Sequence, residues 1–301
     1  MRIVHVDTGR ELRGGQRQVL LLLNGLRAAG EDCTLLARAH SPLLQSASEA
    51  GFAVHPAGLP SLYRYAKNAD LVHAHDARAH TLAAIATRAP FVVSRRVAFP
   101  IKRSLLSQWK YRQASRFLAI SQFVASELGR AGVAQHKIDI VYDAVPADFK
   151  PGEWLACQPA VALASHDPAK GRDLVEEASR LANLPVTYSN NLPTHLTRAS
   201  MFLYITRAEG LGSAALLAMA MGIPVIASDI GGLPEALGFG EAGLLTPNDA
   251  PKIAAAMRRL REDSTLAQTL IERGKKRVSE LFTAQRMVET TLASYRGALA
   301  L

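Results

Sequence analysis

The chain has 301 residues, 49% of them hydrophobic, and a formal net charge of +9 at pH 7. This length fits two domains of about 150 residues, and the hydrophobic fraction is enough to give each domain a core. No run of about 20 apolar residues is present, so we expect no membrane-spanning helix. Residues 1–6 have the pattern of a strand, so we expect no signal peptide.

In the first half of the chain, short apolar runs alternate with helical patterns. The predicted strands cover residues 2–6, 33–38, 70–73, 91–94, 117–120 and 138–141, and the predicted helices cover residues 16–29, 42–50, 77–87, 104–114 and 122–131. Strands that alternate with helices predict a doubly wound parallel sheet. In such sheets, ligands bind at the carboxyl ends of the strands.

A proline-rich connector, residues 146–159, precedes a second series of the same kind. Its predicted strands cover residues 160–164, 185–188, 201–205 and 223–227, and its predicted helices cover residues 170–184, 194–199 and 213–221, followed by a helical tail after residue 250. We therefore expect an α/β protein with two doubly wound, Rossmann-like domains, residues 1–150 and 151–301. The two domains are expected to face a cleft that binds the ligand.

The basic excess belongs to the first half. Residues 1–150 contain 20 Lys and Arg against 11 Asp and Glu, whereas residues 151–301 contain 15 of each. An anionic membrane surface, an acidic substrate or simple solubility could explain this excess. No nucleic-acid motif or interleaved pattern of basic and aromatic residues is present, so nucleic acid is not an expected partner.

The two cysteines, Cys33 and Cys157, lie far apart, and no Cys/His spacing of a metal site is visible. This cysteine usage is typical of a reducing compartment, so the cytoplasm is the expected location. We expect no metal and no other cofactor.

The most informative segment begins at Glu209. Two glycines, Gly210 and Gly212, precede a predicted helix, and a buried strand follows. Glycines let a backbone approach a ligand closely, and the free N–H groups of a helix N-terminus favour a phosphate. A carboxylate accepts hydrogen bonds from hydroxyls. The pattern therefore predicts a site for a ligand with both phosphate and polyol groups, such as a nucleotide sugar.

The same segment resembles the signature of the family 4 retaining glycosyltransferases, which have the GT-B fold. The residues that match it are Glu209, Gly210, Gly212, Gly222, Pro224, Val225 and Ser228. The family has a second Glu where this chain has Leu217. The resemblance implies that Glu209 holds the donor sugar, and that the donor is bound around Gly210, Leu211, Gly212, Ser213, Ala214 and Leu217.

Lys170 matches the lysine of the family's Lys-Gly pair, and the resemblance implies that it contacts the diphosphate. The family's additional arginine is replaced by Ser165. Only 39 positions separate Lys170 from Glu209, about half of what we expect for the family. A βαβ unit takes about 30 residues. The short spacing therefore predicts that the second domain is shortened and lacks one strand–helix unit of the family.

Further candidates lie in the first domain. His75 lies at the carboxyl end of the predicted strand 70–73 and is a candidate catalytic residue that binds substrate hydroxyls; a structural histidine in the core is the alternative. The loop around Gly14 and Gly15 resembles the family's donor-phosphate loop, although a tight turn explains it as well. Four arginines are candidates for binding an anionic acceptor, with a solvated basic surface as the alternative: Arg13, Arg17, Arg95 and Arg96.

A basic and partly apolar stretch follows these arginines. Lys102, Arg103, Lys110 and Arg112 flank or overlap a predicted helix that also contains Leu105 and Trp109. Such a helix could contact an anionic membrane or a phosphorylated acceptor, or present a solvated basic face.

The sequence and the resemblance together predict a metal-independent glycosyltransferase, and the resemblance implies that it retains the configuration at the anomeric carbon. Its partners are expected to be a nucleotide-sugar donor, bound by residues 151–301, and a glycan or lipid-linked acceptor of the cell surface, bound by residues 1–150. The location is cytoplasmic, with peripheral binding at the inner face of the membrane as a further expectation. The alternative is an inactive relative that binds glycan or scaffolds another transferase, which Leu217 and Ser165 favour.

Overall fold

The computed structural model describes residues 1–101, 104–147, 149–165 and 167–300, so Lys102 and Arg103 of the basic stretch lie outside the described residues. Its strands are β1 (Arg2–Asp7), β2 (Asp32–Ala37), β3 (Ala53–Pro56), β4 (Leu71–Ala74), β5 (Phe91–Arg95), β6 (Arg116–Ala119), β7 (Ile138–Ile140), β8 (Ala160–Leu163), β9 (Val186–Ser189), β10 (Met201–Tyr204), β11 (Val225–Ser228) and β12 (Leu244–Thr246).

The helices alternate with these strands. They are α1 (Gly14–Ala28), α2 (Pro42–Glu49), α3 (Leu59–Ala66), α4 (Ala77–Ala86), α5 (Leu105–Gln113), α6 (Gln122–Arg130), α7 (Arg172–Ala182), α8 (Leu192–Leu196), α9 (Ser213–Ala220), α10 (Leu233–Ala236), α11 (Ala250–Glu262), α12 (Ser264–Leu281) and α13 (Ala284–Leu299). Among the described residues, no helix is both long enough and apolar enough to cross a membrane.

Two compact units are formed. Residues Met1–Ala144 and helix α13 make the first unit, and Val145–Thr283 make the second. The sequence predicts that the helical tail belongs to the domain of residues 151–301. Helix α13 instead packs on α1 at Gly25, where an added Cβ would lie 2.4 Å from a methyl group of Val288. It also buries Tyr295, whose hydroxyl lies 2.6 Å from Nδ1 of His73 on β4.

The first unit contains a parallel sheet with seven described strands in the order β3-β2-β1-β4-β5-β6-β7. The strand order reverses between β1 and β4, which is where ligands bind in open α/β sheets. Helix α1 covers the sheet with an apolar stripe of helical spacing, formed by Val19, Leu22, Leu23 and Leu26.

The second unit contains a parallel sheet with five described strands in the order β12-β11-β10-β8-β9. Here the order reverses between β8 and β10, so that the segments after these two strands meet at one edge. Its core joins Met201 and Leu203 of β10 to Ile253 and Met257 of α11. The predicted α/β class with two doubly wound parallel sheets is confirmed.

Candidate functional site

Lys170 and Glu209 meet at the carboxyl edge of the second sheet. Lys170 ends a short 3₁₀ helix (Pro168–Lys170) after β8, and Glu209 follows β10. Gly171, with a left-handed φ of +58°, lets the two segments approach. An added Cβ there would lie 2.9 Å from Cγ2 and 3.0 Å from the carbonyl oxygen of Ile205. The glycine next to Lys170 therefore contributes to bringing it to the end of β10.

The Lys170 ammonium donates to Oε2 of Glu209 over 3.0 Å. The same oxygen accepts the Tyr204 hydroxyl over 2.5 Å, and Oε1 accepts the backbone N–H of Gly210 over 3.0 Å. The side chains of Lys170 and Glu209 are 29% and 16% exposed, so both remain open to solvent on one side. The arrangement places a cation and an oriented carboxylate side by side.

A glycine loop, Gly210–Gly212, joins Glu209 to helix α9. Gly212 has a left-handed φ of +105°, and an added Cβ would meet Leu233 at 2.6 Å and the Tyr204 ring at 3.1 Å. Leu211 is buried, whereas Ser213 and Ala214 at the start of α9 are half-buried. The first N–H groups of a helix have no acceptor within it, so they are suited to bind an anion.

The turn at Gly231 and Gly232 packs against the backbone of this loop. An added Cβ at Gly231 would lie 2.1 Å from the carbonyl oxygen of Glu209, and one at Gly232 would lie 2.0 Å from that of Gly210. The N–H of Gly232 also donates to the Glu209 carbonyl over 3.2 Å. These two glycines thus allow close backbone packing that holds Glu209 and Gly210 in place.

Leu217 lies in the second turn of α9 and is half-buried. Its side chain accepts no hydrogen bond. Arg172 is not a second cation beside Glu209, because its guanidinium donates to Glu176 over 2.7 Å and stacks on Tyr188 at 4.6 Å from the ring centroid.

A cavity of about 610 Å³ borders the 3₁₀ helix that carries Lys170. Both of its cations are already paired with carboxylates, Arg172 with Glu176 and Arg207 with Asp173, each over 2.7 Å, and Asp167 adds a further negative charge. Because these charges are already compensated, the cavity offers less to a diphosphate than Lys170 and the start of α9 do.

In the first unit, the loop after β1 meets the end of β4. Asp76 caps α4 by accepting the N–H groups of Arg78 and Ala79, and it also accepts the N–H and hydroxyl of Thr8 over 2.5 and 2.9 Å. Asp7 is buried and accepts the N–H of Gly9 over 2.8 Å, and burial raises the pKa of its carboxyl. These contacts fix the loop that leads to α1.

The candidate residues at the start of α1 are more open. Gly14 is exposed and Gly15 is half-buried, and an added Cβ at Gly15 would lie 3.8 Å from Cδ of Arg96. Arg13 is exposed and donates to Glu11 over 2.7 Å, and Arg17 is exposed on the first turn of the helix. The structure therefore brings Gly15 and Arg96 together, whereas Arg13 projects toward its acidic neighbour.

His75 is buried and connects two protein groups. Its Nδ1 lies 3.4 Å from Nη1 of Arg96, and its Nε2 lies 3.0 Å from Nδ1 of His5. Since arginine only donates, Nδ1 of His75 accepts and its Nε2 carries the proton. Burial, with the neighbouring imidazoles and Arg96, lowers its pKa well below the ordinary value. Both nitrogens of His75 thus have partners in the protein. The predicted contact of His75 with a substrate hydroxyl stays a prediction.

Arg96 and Arg95 point to different partners. Arg96 donates to Oδ1 of Asp143 over 3.0 Å, and both side chains are largely buried. Arg95 donates to the Tyr111 hydroxyl over 3.2 Å and to the carbonyl oxygen of Phe99. Only Arg96 of the two therefore lies beside His75 and Gly15.

Sequence reasoning missed His5, which is a third imidazole beside His73 and His75. Parallel pairing of β1 with β4 places His5 opposite His73, and one ligand nitrogen from each of the three lies within 4.8 Å of the others. His73 contacts Tyr295 and Ser94, over 2.6 and 2.8 Å, so its nitrogens are both occupied. The signal that could have identified His5 is its alternation with apolar residues along β1, combined with the pairing of β1 and β4. Tyr204 and its contact with Glu209 were missed as well.

Helix α5 presents apolar side chains to solvent, and none of its residues is buried. Leu105 is 85% exposed and Leu106 is 70% exposed. Lys110 is engaged within the protein, because its ammonium donates to the Ala77 carbonyl and the Thr81 hydroxyl, each over 3.3 Å. Burial lowers the pKa of Lys110, and Arg95 adds to this effect.

Comparisons with known proteins agree with this architecture. The family model described as "Glycosyltransferase Family 4" matches residues 12–149, and the one described as "Glycosyl transferases group 1" matches residues 128–263. The MMP alpha-(1->4)-mannosyltransferase of Mycolicibacterium hassiacum is 33% identical over 130 residues, which are 42% of this chain and 30% of that protein. CapM, a capsular polysaccharide biosynthesis glycosyltransferase of Staphylococcus aureus, is 29% identical over 112 residues, 37% of this chain and 28% of that protein. The chain thus spans less than a third of either relative.

Among solved structures, Anabaena Alr3699/HepE in complex with UDP has a TM-score of 0.87 at 16% identity, over 98% of this chain and 100% of that chain. The complex of the same protein with UDP-glucose has a TM-score of 0.82 at 18% identity, over 98% and 100% of the two chains. Because the match covers nearly all of both chains, the second unit of this chain has a counterpart in HepE.

The two family matches together span residues 12–263, and the fold is shared over almost the whole chain. The chain belongs to the family 4 glycosyltransferases, with the GT-B fold. The resemblance recognised in the sequence is confirmed.

Proposed function

We propose that this protein transfers a sugar from a nucleotide-sugar donor to a glycan or lipid-linked acceptor of the cell surface. The observation that carries the proposal is the contact between Lys170 and Glu209, beside the glycine loop and the start of α9. This edge of the second sheet brings together a positive charge, free helix N–H groups and a carboxylate. A diphosphate joined to a sugar needs these groups.

In the proposed reaction, the bond from the anomeric carbon to the diphosphate breaks, and its electron pair stays on the diphosphate. Lys170 and the N–H groups of Gly212, Ser213 and Ala214 stabilise the negative charge that develops there. Glu209 accepts hydrogen bonds from the sugar hydroxyls. The acceptor hydroxyl forms the new bond to the anomeric carbon, and its proton passes to the departing diphosphate oxygen. On this account the protein's own cations serve the leaving group, without a metal, and the retaining outcome is inferred from the family.

The donor is proposed to carry a nucleoside diphosphate, and UDP is the first candidate because UDP and UDP-glucose are bound by HepE in its crystal structures. The acceptor class is inferred from relatives such as CapM, which is named for capsular polysaccharide biosynthesis. We assign the acceptor to the first unit, where the exposed Arg17 offers positive charge on the first turn of α1. Arg96 lies beside Gly15 and His75, with its charge paired to Asp143.

Peripheral binding at the cytoplasmic face of the membrane is a further part of the proposal. Its support is the basic excess of residues 1–150 together with the exposed Leu105 and Leu106 on α5. Apolar side chains next to basic ones are typical of surfaces that bind anionic lipid.

A thermal-shift panel tests the donor site. UDP, GDP and ADP, each with a sugar conjugate, are added to the wild type, to Lys170→Ala and to the control Lys252→Ala, which changes an exposed lysine on α11. At 100 times the dissociation constant, a ligand stabilises the protein by about 2.7 kcal/mol. We expect at least one nucleotide to raise the Tm of the wild type and of the control, with most of the shift lost in Lys170→Ala. No shift with any nucleotide at millimolar concentration refutes the donor site.

A further inference from the structure

Tyr204 stands out as a buried hydroxyl within the donor site. It is the last residue of β10, and its hydroxyl donates to Oε2 of Glu209 over 2.5 Å. That oxygen is also the one that accepts the Lys170 ammonium. Burial, with the nearby Glu209 charge, raises the pKa of the Tyr204 phenol well above its ordinary value, so the hydroxyl keeps its proton and remains a donor.

The ring of Tyr204 contacts two further parts of the same site. The Lys170 ammonium lies 5.7 Å from the ring centroid. An added Cβ at Gly212 would lie 3.1 Å from Cε1 of the ring, so the glycine loop rests directly on it. One side chain therefore touches the cation, the carboxylate and the loop that together form the donor site.

A diphosphate changes the balance of these contacts. It competes with Glu209 for the single charge of Lys170, and a diphosphate carries more negative charge than one carboxylate. Once Lys170 turns to the phosphates, Oε2 of Glu209 loses one of its two donors. The groups that still hold the carboxylate are then the Tyr204 hydroxyl and the N–H of Gly210, on Oε2 and Oε1 respectively.

We propose that Tyr204 is a positioning residue, which keeps the Glu209 carboxylate aimed at the donor sugar after the diphosphate has drawn Lys170 away. This inference rests on the proposed function. It predicts that the Tyr204 hydroxyl matters for binding the sugar and hardly at all for binding the diphosphate.

The test compares Tyr204→Phe with Tyr188→Phe. Both variants remove one buried tyrosine hydroxyl from the second unit, but the Tyr188 hydroxyl has no hydrogen-bond partner among the described residues. Affinities are measured by calorimetry for UDP, GDP and ADP and for UDP-glucose, GDP-mannose and ADP-glucose. For the nucleotide that the wild type binds, we expect Tyr204→Phe to keep nucleoside diphosphate affinity within about twofold. Its affinity for the sugar conjugate should fall about tenfold, or about 1.4 kcal/mol, while Tyr188→Phe changes neither.

Two results overturn the inference while leaving the proposed function intact: equal losses for the nucleoside diphosphate and its conjugate, or no loss for either. A structural role of Tyr204 alone gives the first of these. If the wild type binds no nucleotide at all, the proposed function fails and the role of Tyr204 in sugar binding fails with it.

A double-mutant cycle tests the hydrogen bond itself without any ligand. Unfolding equilibrium constants in guanidinium are measured for Tyr204→Phe, Glu209→Ala and the double variant. A coupling of about tenfold is expected between Tyr204 and Glu209, because a hydrogen bond to a charged group is among the stronger ones. No coupling should appear between Tyr188 and Glu209. If the effects of Tyr204→Phe and Glu209→Ala on unfolding are additive, they contradict the proposed role of Tyr204 in positioning Glu209.

Discussion

The Lys170 ammonium lies 3.0 Å from Oε2 of Glu209, although 39 positions separate the two residues in the sequence. They meet because β8 and β10 are neighbours in the second sheet and both residues follow the carboxyl ends of these strands. A partly exposed ion pair of this kind contributes on the order of 1 kcal/mol or less to stability. This stabilisation is small compared with the binding free energy that a diphosphate gains from Lys170, so Lys170 can exchange Glu209 for a phosphate.

Leu217 should limit how well the protein selects its nucleotide. The resemblance implies that a Glu at this position holds ribose hydroxyls, and leucine cannot accept a hydrogen bond. We expect the wild type to bind UDP and 2′-deoxy-UDP with affinities within a few-fold of each other. Leu217→Glu should tighten UDP binding, by about tenfold if one good hydrogen bond of about 1.4 kcal/mol is gained. Calorimetry with both nucleotides measures this.

A preference of tenfold or more for the ribose form in the wild type would show that another residue binds the ribose. Leu216→Glu, which alters a fully buried neighbour, is an unsuitable control because it would unfold the core. Ala220→Glu, a half-buried position at the end of α9, is the better one and should leave UDP affinity unchanged.

Gly212 and Gly240 separate backbone strain from steric contact. Both have strongly positive φ, +105° and +100°, but an added Cβ meets Leu233 and Tyr204 at Gly212 and nothing within 4 Å at Gly240. Gly240→Ala should cost about 1–2 kcal/mol of unfolding free energy from the left-handed backbone alone. Gly212→Ala should cost about 1–3 kcal/mol more, because the loop overpacks. Guanidinium unfolding of both variants measures the difference, and equal losses would contradict the packing of the glycine loop on Tyr204.

Stability should fall as pH drops below about 6.5. Burial lowers the pKa of His5 and His80 to about 3, and lowers those of His73 and His75 well below the ordinary value. Between about pH 3 and 6.5 the unfolded chain therefore binds more protons than the native protein, so acid favours unfolding. The raised pKa of Asp7 acts in the opposite direction in the acidic part of this range.

Each such histidine contributes about 1.4 kcal/mol per pH unit to this slope. His80 packs among Phe91, Tyr111 and Phe117. Phenylalanine keeps this aromatic packing but gives up the contact of Nε2 with the Lys110 carbonyl oxygen at 3.1 Å. We expect His80→Phe to reduce the slope of unfolding free energy against pH, between pH 4.5 and 6, by the contribution of one proton. An unchanged slope would mean that His80 is protonated in the native protein.

The membrane proposal is tested by vesicle co-sedimentation. We expect binding to vesicles that contain anionic lipid and none to neutral vesicles, with binding lost at 1 M salt as the Debye length falls to about 3 Å. Leu105→Ser with Leu106→Ser should weaken binding, and so should Arg112→Ser, which removes about 1 kcal/mol of attraction to the surface. Lys110 is left unchanged because its ammonium bonds within the protein.

Leu181→Ser is the matched control, because Leu181 is also an exposed leucine but belongs to α7 in the second unit. Equal binding to neutral vesicles, or none to either kind, would assign the basic excess to a soluble acceptor or to solubility.

Much of the fold follows from local patterns. The alternation of apolar strands with amphipathic helices predicted nearly every element of both sheets, with boundaries displaced by a few residues. The missed strands lie at sheet edges: β3 contains a proline and has little apolar pattern, and β12 has only three residues. Helices α3 and α10 were missed as well. The final helix joined the first unit through Tyr295 and Val288, a long-range packing that no local pattern contains.

The candidate site divides in the same way. Glu209 and the glycine loop were recognisable because they form one continuous motif in the sequence, and Lys170 because it stands in a Lys-Gly pair. Tyr204 was not recognisable, since a tyrosine at the end of a buried strand is predicted to be a core residue unless its contact with Glu209 is known. His5 was missed for a related reason, because its neighbours belong to another part of the chain: His73 lies on β4 and His75 directly follows it.

The most direct test of the account is release of nucleoside diphosphate from a nucleotide sugar. Purified wild-type protein is incubated with UDP-glucose, GDP-mannose or ADP-glucose and a panel of glycan and lipid-linked acceptors, and nucleoside diphosphate is measured together with the glycosylated product. We predict turnover with at least one donor, a loss of at least a hundredfold in Lys170→Ala and in Glu209→Gln, and no loss in Lys252→Ala; a hundredfold corresponds to about 2.7 kcal/mol of transition-state stabilisation. Turnover that survives both substitutions would contradict the assignment of the donor site to Lys170 and Glu209.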